Sequence, residues 1–163
     1  ARRLALDEAT VSSVERVAAL HDVGKVAVPD AILQKRGPLT ASEWELMRQH
    51  PAVGERIVAS TRTLAHLAAP IRAEHERWDG TGYPDGLSGE QIPISSRITL
   101  ACDAFHAMTS DRPYRAAMAL EEARAELEAN AGTQFDPDLA NLVADGLERH
   151  GGRFFAQGRD QLF

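Results

Sequence analysis

Apolar residues in this chain recur with the period of an α-helix almost throughout, and runs alternating with the period of a strand are nearly absent. Val14, Val17, Ala18 and His21 fall one helical turn apart on one face, and Leu64, Leu67, Ala68, Ile71 and His75 trace a second inward stripe. The pattern restricts the chain to an all-α fold, a single compact helical domain in which each helix buries one face. Helices are expected over about Asp7–His21, Pro29–Leu33, Thr40 to His50, onward from Pro51, Leu64 to His75, onward from Ser95, and over Leu120–Asn130 and Pro137–His150. Thr40-x-x-Glu43 has the form of a capping box, Gly24 that of a helix stop, and Pro51 suits the first turn of a new helix. Glu43, Met47 and His50 are expected to share one face. From Trp78 to Pro93 the periodicity is lost. Gly80, Gly82, Gly86 and Gly89, with Pro84 and Pro93, mark a long Gly/Pro-rich loop, and loops of that length in compact domains are often functional.

The 163 residues, 44% of them hydrophobic, are enough for one domain with its own core. A net charge of -6 argues against a DNA-binding scaffold, but not against a nucleotide ligand, because a metal ion supplies positive charge locally. The single cysteine, Cys102, cannot form an internal disulfide, which fits a reducing cytoplasm. No run approaches the ~20 apolar residues that span a bilayer, and no signal peptide is visible. The expectation is therefore a cytoplasmic domain with no membrane insertion in this segment. Ala1 to Leu6 start inside a helical pattern, so the chain reads as a domain cut from a longer protein. Its body is assigned to residues 1–150 and a C-terminal tail to 151–163.

Several separate helices each bring an imidazole or carboxylate to an otherwise apolar face: His21 and Asp22, His50, His75, and Asp103. Burying such groups without partners costs roughly 1–3 kcal/mol each, and more when they are charged. One shared metal site is the economical explanation. His66 and His150 have no such company and are assigned to hydrogen-bonded or capping roles. Glu74 sits beside the His75 stripe, where it points either to the site or to solvent.

The ordered motifs are more specific than any single residue. They run His21-Asp22-Val23-Gly24-Lys25, His50-Pro51-x-x-Gly54, His75-Glu76-Arg77-Trp78-Asp79-Gly80-Thr81-Gly82-Tyr83-Pro84, then Asp103 through Arg115, then Gly132-Thr133-Gln134-Phe135-Asp136-Pro137. Together they strongly resemble an HD-GYP domain, an all-helical branch of the HD phosphohydrolases, over roughly Arg2 to Leu147.

That resemblance implies hydrolysis of the phosphodiester bonds of cyclic di-GMP, to the linear dinucleotide or GMP, at a site holding two or three divalent metal ions; the oxygen donor of Glu74 then favours Fe or Mn. It implies metal ligands at His21, Asp22, His50, His75 and Asp103, with Asp22 bridging. Lys25 is expected to face the substrate phosphate, Tyr83 to help form the nucleotide pocket, and Arg112 and Arg115 to approach phosphates or bases. The chain departs from the family pattern in three places. Glu74 stands where a histidine is usual, and as an oxygen ligand it would retune the site toward Mn or Fe. His106 stands where an aspartate is usual. A further metal-binding histidine belongs on a helix upstream of Ala1. The departures leave two alternatives: a degenerate domain that binds a nucleotide or a signalling protein without turnover, and a hydrolase of another cyclic dinucleotide or phosphoester. The family pattern also implies a regulatory or sensory domain upstream.

Overall fold

The computed structural model describes residues 6–111 and 116–150, and side chains as far as residue 144. Arg112, Arg115, the tail 151–163 and the His150 side chain lie outside the described residues. The described residues contain no strand, and the all-α expectation holds. None of their helices is long and apolar enough to cross a membrane.

α1 (Glu8–Leu20) begins where Asp7 accepts a hydrogen bond from the Thr10 amide, at 2.7 Å, and satisfies one of the donors left open at a helix start. A 3₁₀ segment, His21–Ala27, follows directly. Gly24 therefore does not stop the helix. It lies buried inside that segment, where the chain tightens and runs on. α2 (Asp30–Leu33) is a single turn, and α3 (Ala41–Met47) opens with the expected capping box between Thr40 and Glu43. α3 stops at Met47, and α4 (His50–Ala59) starts afresh with Pro51 in its first turn. His50 thus heads a new helix and does not share the Glu43–Met47 face. A short 3₁₀ turn, Ala65–Leu67, leads into α5 (Ala68–Arg72). Glu74 and His75 lie just beyond its end.

Two compact units divide the chain, at Leu100/Ala101. In the first, Val17 of α1, Val58 of α4, Leu67 and Ile71 form a fully buried cluster, flanked by Leu20, Val23, Leu64 and Ala68. Each such side chain contributes about 1.5–3 kcal/mol of burial. α6 (Ile94–Thr109) starts in this unit, where Ser96 Oγ donates to the Pro70 carbonyl at 2.7 Å. In the second unit α7 (Leu120–Ala129) packs on α8 (Pro137–His150), burying Ala123 and Leu127 with Leu139, Ala140 and Ala144. Asp136 accepts from the Asp138 amide at 3.0 Å at the start of α8.

The 3₁₀ segment and α4 touch through backbone. A Cβ at Gly24 would lie 1.9 Å from the His50 carbonyl oxygen and 2.6 Å from the Gly54 nitrogen. Both obstacles are main chain, so neither can rotate away. Gly24→Ala is expected to lower unfolding free energy by about 3 kcal/mol or more, whereas exposed Gly37, with nothing within 4 Å, should tolerate alanine within about 0.5 kcal/mol. Denaturant unfolding of the two variants makes the comparison.

Candidate metal centre

Because α1 ends at Leu20 and the chain tightens, His21 and Asp22 project from the first 3₁₀ turn toward the head of α4. His21 Nδ1 donates to the Ala18 carbonyl at 2.8 Å, and His50 Nδ1 donates to the Met47 carbonyl at 2.7 Å. A carbonyl only accepts, so each Nδ1 carries the hydrogen. In the neutral ring each Nε2 then presents a lone pair.

These Nε2 atoms face other acceptors. His50 Nε2 is 3.0 Å from Glu74 Oε1, 3.1 Å from His75 Nε2 and 3.9 Å from Asp22 Oδ1. His21 Nε2 is 3.7 Å from the same Asp22 oxygen, and His75 Nε2 is 4.0 Å from Glu74 Oε1. His50, Glu74 and His75 each offer a donor atom within 4.8 Å of the others, a grouping able to hold a metal ion. The structure thus brings together His21, Asp22, His50, Glu74 and His75. Asp103 is half-buried on α6 in the second unit, and His106, one turn on, is exposed.

Electrostatics at the cluster pull in opposite directions. Burial pushes the Glu74 carboxyl upward, and the neighbouring His50 only partly offsets it. Glu74 is 2% exposed, which excludes the solvent-facing alternative, and its Oε2 has no hydrogen-bond partner among the described residues. Burial, reinforced by His50, depresses His75 to about 3, so its ring is neutral. Burial also acts to raise Asp22, but its hydrogen bond from Lys25 and the nearby imidazoles outweigh that and hold the carboxyl below its ordinary value. Lys25 Nζ lies 2.7 Å from Asp22 Oδ1.

The Gly-Tyr-Pro segment returns over this cluster. Tyr83 stacks on His75, with ring centroids 5.0 Å apart and planes 23° from parallel, and its amide donates to the His75 carbonyl at 3.2 Å. Burial, then the charge of Glu74, pushes the Tyr83 phenol up to about 12, which keeps it protonated. Gly82 is required by the close return of the chain: a Cβ there would lie 2.3 Å from the Arg77 nitrogen and 2.6 Å from the His75 oxygen.

Two supporting residues carry no role that the sequence reading assigned: Glu76, inside the His75–Pro84 motif, and Arg72, outside every motif. Glu76, 1% exposed, accepts from the Asp85 amide at 2.7 Å and the Gly86 amide at 3.0 Å through one carboxylate oxygen. Arg72 grips both oxygens of Asp85, at 2.6 and 2.8 Å, and reaches Glu55 on α4 at 2.7 Å. The signal for Glu76 is its position, one of four consecutive ionisable residues, Glu74 to Arg77, where helical pattern gives way to turns. Arg72 leaves no comparable signal, because its partners lie 17 residues before it and 13 after.

An all-α scaffold presenting a His-Asp pair beside further histidines and a buried carboxylate defines the class. The chain belongs to the HD domain family, whose profile matches residues 1–139. It is 42% identical over 159 residues to the cyclic di-GMP phosphodiesterase response regulator RpfG of Xanthomonas campestris pv. campestris, covering 94% of this chain and 42% of that protein. It is 43% identical to a cyclic di-GMP phosphodiesterase of Thermotoga maritima, over 85% of this chain and 38% of that one. Identity reaches 44% with the 3'3'-cGAMP-specific phosphodiesterase 2 of Vibrio cholerae, over 86% of this chain and 27% of that one. The HD-GYP resemblance of the motifs agrees with this company. The chain spans less than half the length of these curated relatives. A crystal structure of a cyclic GMP-AMP specific phosphodiesterase of V. cholerae, V-cGAP3, shares the fold, with a TM-score of 0.69 at 23% identity, covering 95% of this chain and 42% of that one.

Glu74 gives the cluster a testable signature. In chelator-treated protein its buried carboxylate is a liability, and Glu74→Gln should raise stability by about 1 kcal/mol. Because the folded-state value is raised, the parent's deficit grows as pH climbs above the ordinary 4.5 and vanishes below it. With Mn²⁺ present the order should invert, the parent gaining stability by ligand linkage that the glutamine variant lacks. Thermal unfolding of both proteins, with chelator and with metal, reads the inversion.

Proposed function

We propose that this domain is a metal-dependent phosphodiesterase that hydrolyses cyclic di-GMP to the linear dinucleotide or GMP. The observation that carries the reading is the convergence of imidazole and carboxylate donors on one spot, with Glu74 Oε2 buried beside them and unpartnered among the described residues. Acceptors facing one another at such distances repel unless positive charge lies among them. The donor set therefore fits divalent cations, held by His21, Asp22, His50, Glu74 and His75. The family pattern assigns Asp103 to the same set. Two carboxylates among three imidazoles suit Mn or Fe, in two or three ions. When bound, such ions lower the pKa of water to yield a nucleophile near neutral pH and offset the negative charge of a phosphodiester.

The chain's own residues supply position and charge. The Met47 and Ala18 carbonyls fix the tautomers of His50 and His21, so both present Nε2 as ligand. Lys25, ion-paired to Asp22 and about one-third exposed, is placed to share its ammonium with a phosphoryl oxygen as charge develops there. Tyr83, protonated and stacked on His75, offers a flat wall and a hydroxyl donor to a bound nucleotide. Arg112 and Arg115 are assigned to the ligand's phosphates or bases on the family pattern alone.

A second cyclic dinucleotide belongs beside the first in any assay, because the relative at 44% identity is specific for 3'3'-cGAMP. The turnover-free alternative, motivated by glutamate replacing histidine, is weakened by the inward orientation of Glu74. We place the domain in the cytoplasm, downstream of a regulatory segment.

Asp22→Ala is expected to remove bound metal and to cut hydrolysis by roughly 100-fold or more while the helical content stays the same. Lys25→Ala should retain the metal and lose roughly 10- to 100-fold in turnover. Elemental analysis and chromatography of the products separate the two. Metal-loaded parent protein that leaves cyclic di-GMP, 3'3'-cGAMP and cyclic di-AMP all intact would sink the hydrolase reading.

Glu74→His should shift metal preference away from Mn. Competition between Mn²⁺ and Zn²⁺, followed by elemental analysis, tests it, and an unchanged ratio would remove Glu74 from the ligand set.

A further inference from the structure

A line of stacked groups leads away from the metal cluster. His75 stacks on Tyr83, the Arg48 guanidinium sits 5.4 Å from the Tyr83 ring centre, and the same guanidinium sits 5.8 Å from the Trp44 ring centre. Arg48 follows α3 directly and precedes the ligand His50 by two residues, so its backbone is held by the same turn that positions the site. Trp44 is 45% exposed, an unusual surface for an indole, and Arg48 is exposed beside it. The aromatic faces and the planar cation therefore lie at the solvent edge of the cluster, a short reach from Nε2 of His75.

We propose that Trp44 and Arg48 form a purine-binding platform that takes one base of the cyclic dinucleotide while a phosphodiester lies at the metal cluster. The inference rests on the cyclic dinucleotide reading above and adds to it the residues that recognise the base. A purine is flat and stacks on an indole or a guanidinium plane. Arg48 can also turn its fork toward N7 and O6 of guanine, an acceptor pair that adenine does not offer. Trp44 then supplies affinity for any purine, and Arg48 the preference for guanine. Both are specificity residues; neither touches the reacting phosphorus.

The test uses the whole 163-residue chain, which carries two tryptophans, Trp44 and Trp78. Cyclic di-GMP is titrated against intrinsic fluorescence in the presence of Ca²⁺ in place of a catalytic metal. Stacking on Trp44 should quench emission in the parent and in Trp78→Phe, and the quench should vanish in Trp44→Phe. In turnover assays, Trp44→Ala should raise KM for cyclic di-GMP by roughly 10-fold or more. That loss should exceed any loss on bis(p-nitrophenyl) phosphate, a phosphodiester without a purine, and Trp44→Phe should recover most of it. Arg48→Ala should narrow the preference for cyclic di-GMP over cyclic di-AMP. Turnover of cyclic di-GMP without a Trp44-dependent quench, or equal losses on both substrates, overturns the platform and leaves the phosphodiesterase standing. A Trp44-dependent quench without turnover supports the platform and removes the enzyme. Neither quench nor turnover removes both.

Discussion

Everything at this site depends on a place where two stretches of backbone meet with no side chain between them. Gly24 sits against the His50 carbonyl and the Gly54 amide, and this contact sets the distance between the His21-Asp22 pair and the head of α4. A methyl group at that point would move the 3₁₀ segment away from α4 and open the 3.9 Å spacing between Asp22 and His50. The buried cluster of Val17, Val58, Leu67 and Ile71 supplies the adhesion that holds α1, α4 and α5 in place, but adhesion is undirected. The glycine contact converts it into a defined register. The glycines of the His-Asp-x-Gly-Lys and His-Pro-x-x-Gly motifs are thus two halves of one joint.

Around that joint the chain gathers groups that repel one another. Imidazole nitrogens with fixed tautomers, a buried glutamate and a partly buried aspartate are poor neighbours in the absence of cations. Such an arrangement lowers the stability of the metal-free fold. Lys25 eases part of the conflict through Asp22, and burial eases another part by keeping His75 neutral. Glu74 has no comparable relief at Oε2. Standing where the family pattern has histidine, it adds a carboxylate at a fully buried point of the cluster.

Features determined by neighbours in sequence are legible in the string of residues alone. The Thr40–Glu43 capping box, Pro51 in the first turn of α4 and the span of α8 depend on local hydrogen bonding and periodicity, and all three stand in the fold where the sequence places them. The HD-GYP motifs identify the family for the same reason: they are ordered strings. Features determined by packing are not legible in that way. Gly24 looks like a helix stop until its contact with His50 is known, and His50 extends the α3 periodicity although the helix ends three residues earlier. Glu76 and Arg72 act on backbone amides and carboxylates of a loop whose return path no periodicity encodes.

The short stretch from Arg72 to Glu76 carries two kinds of work in five residues. Glu74 and His75 face the donor cluster, while Arg72 and Glu76 hold Asp85 and Gly86 and so fasten the Gly-Tyr-Pro loop. Candidate ligand and fastener share one turn of chain, and neither can shift without dragging the other. Genetic evidence from this stretch will therefore be ambiguous by construction: a substitution in the loop that empties the metal site does not thereby reveal a ligand. Only variants that separate loop order from donor chemistry can assign the two roles.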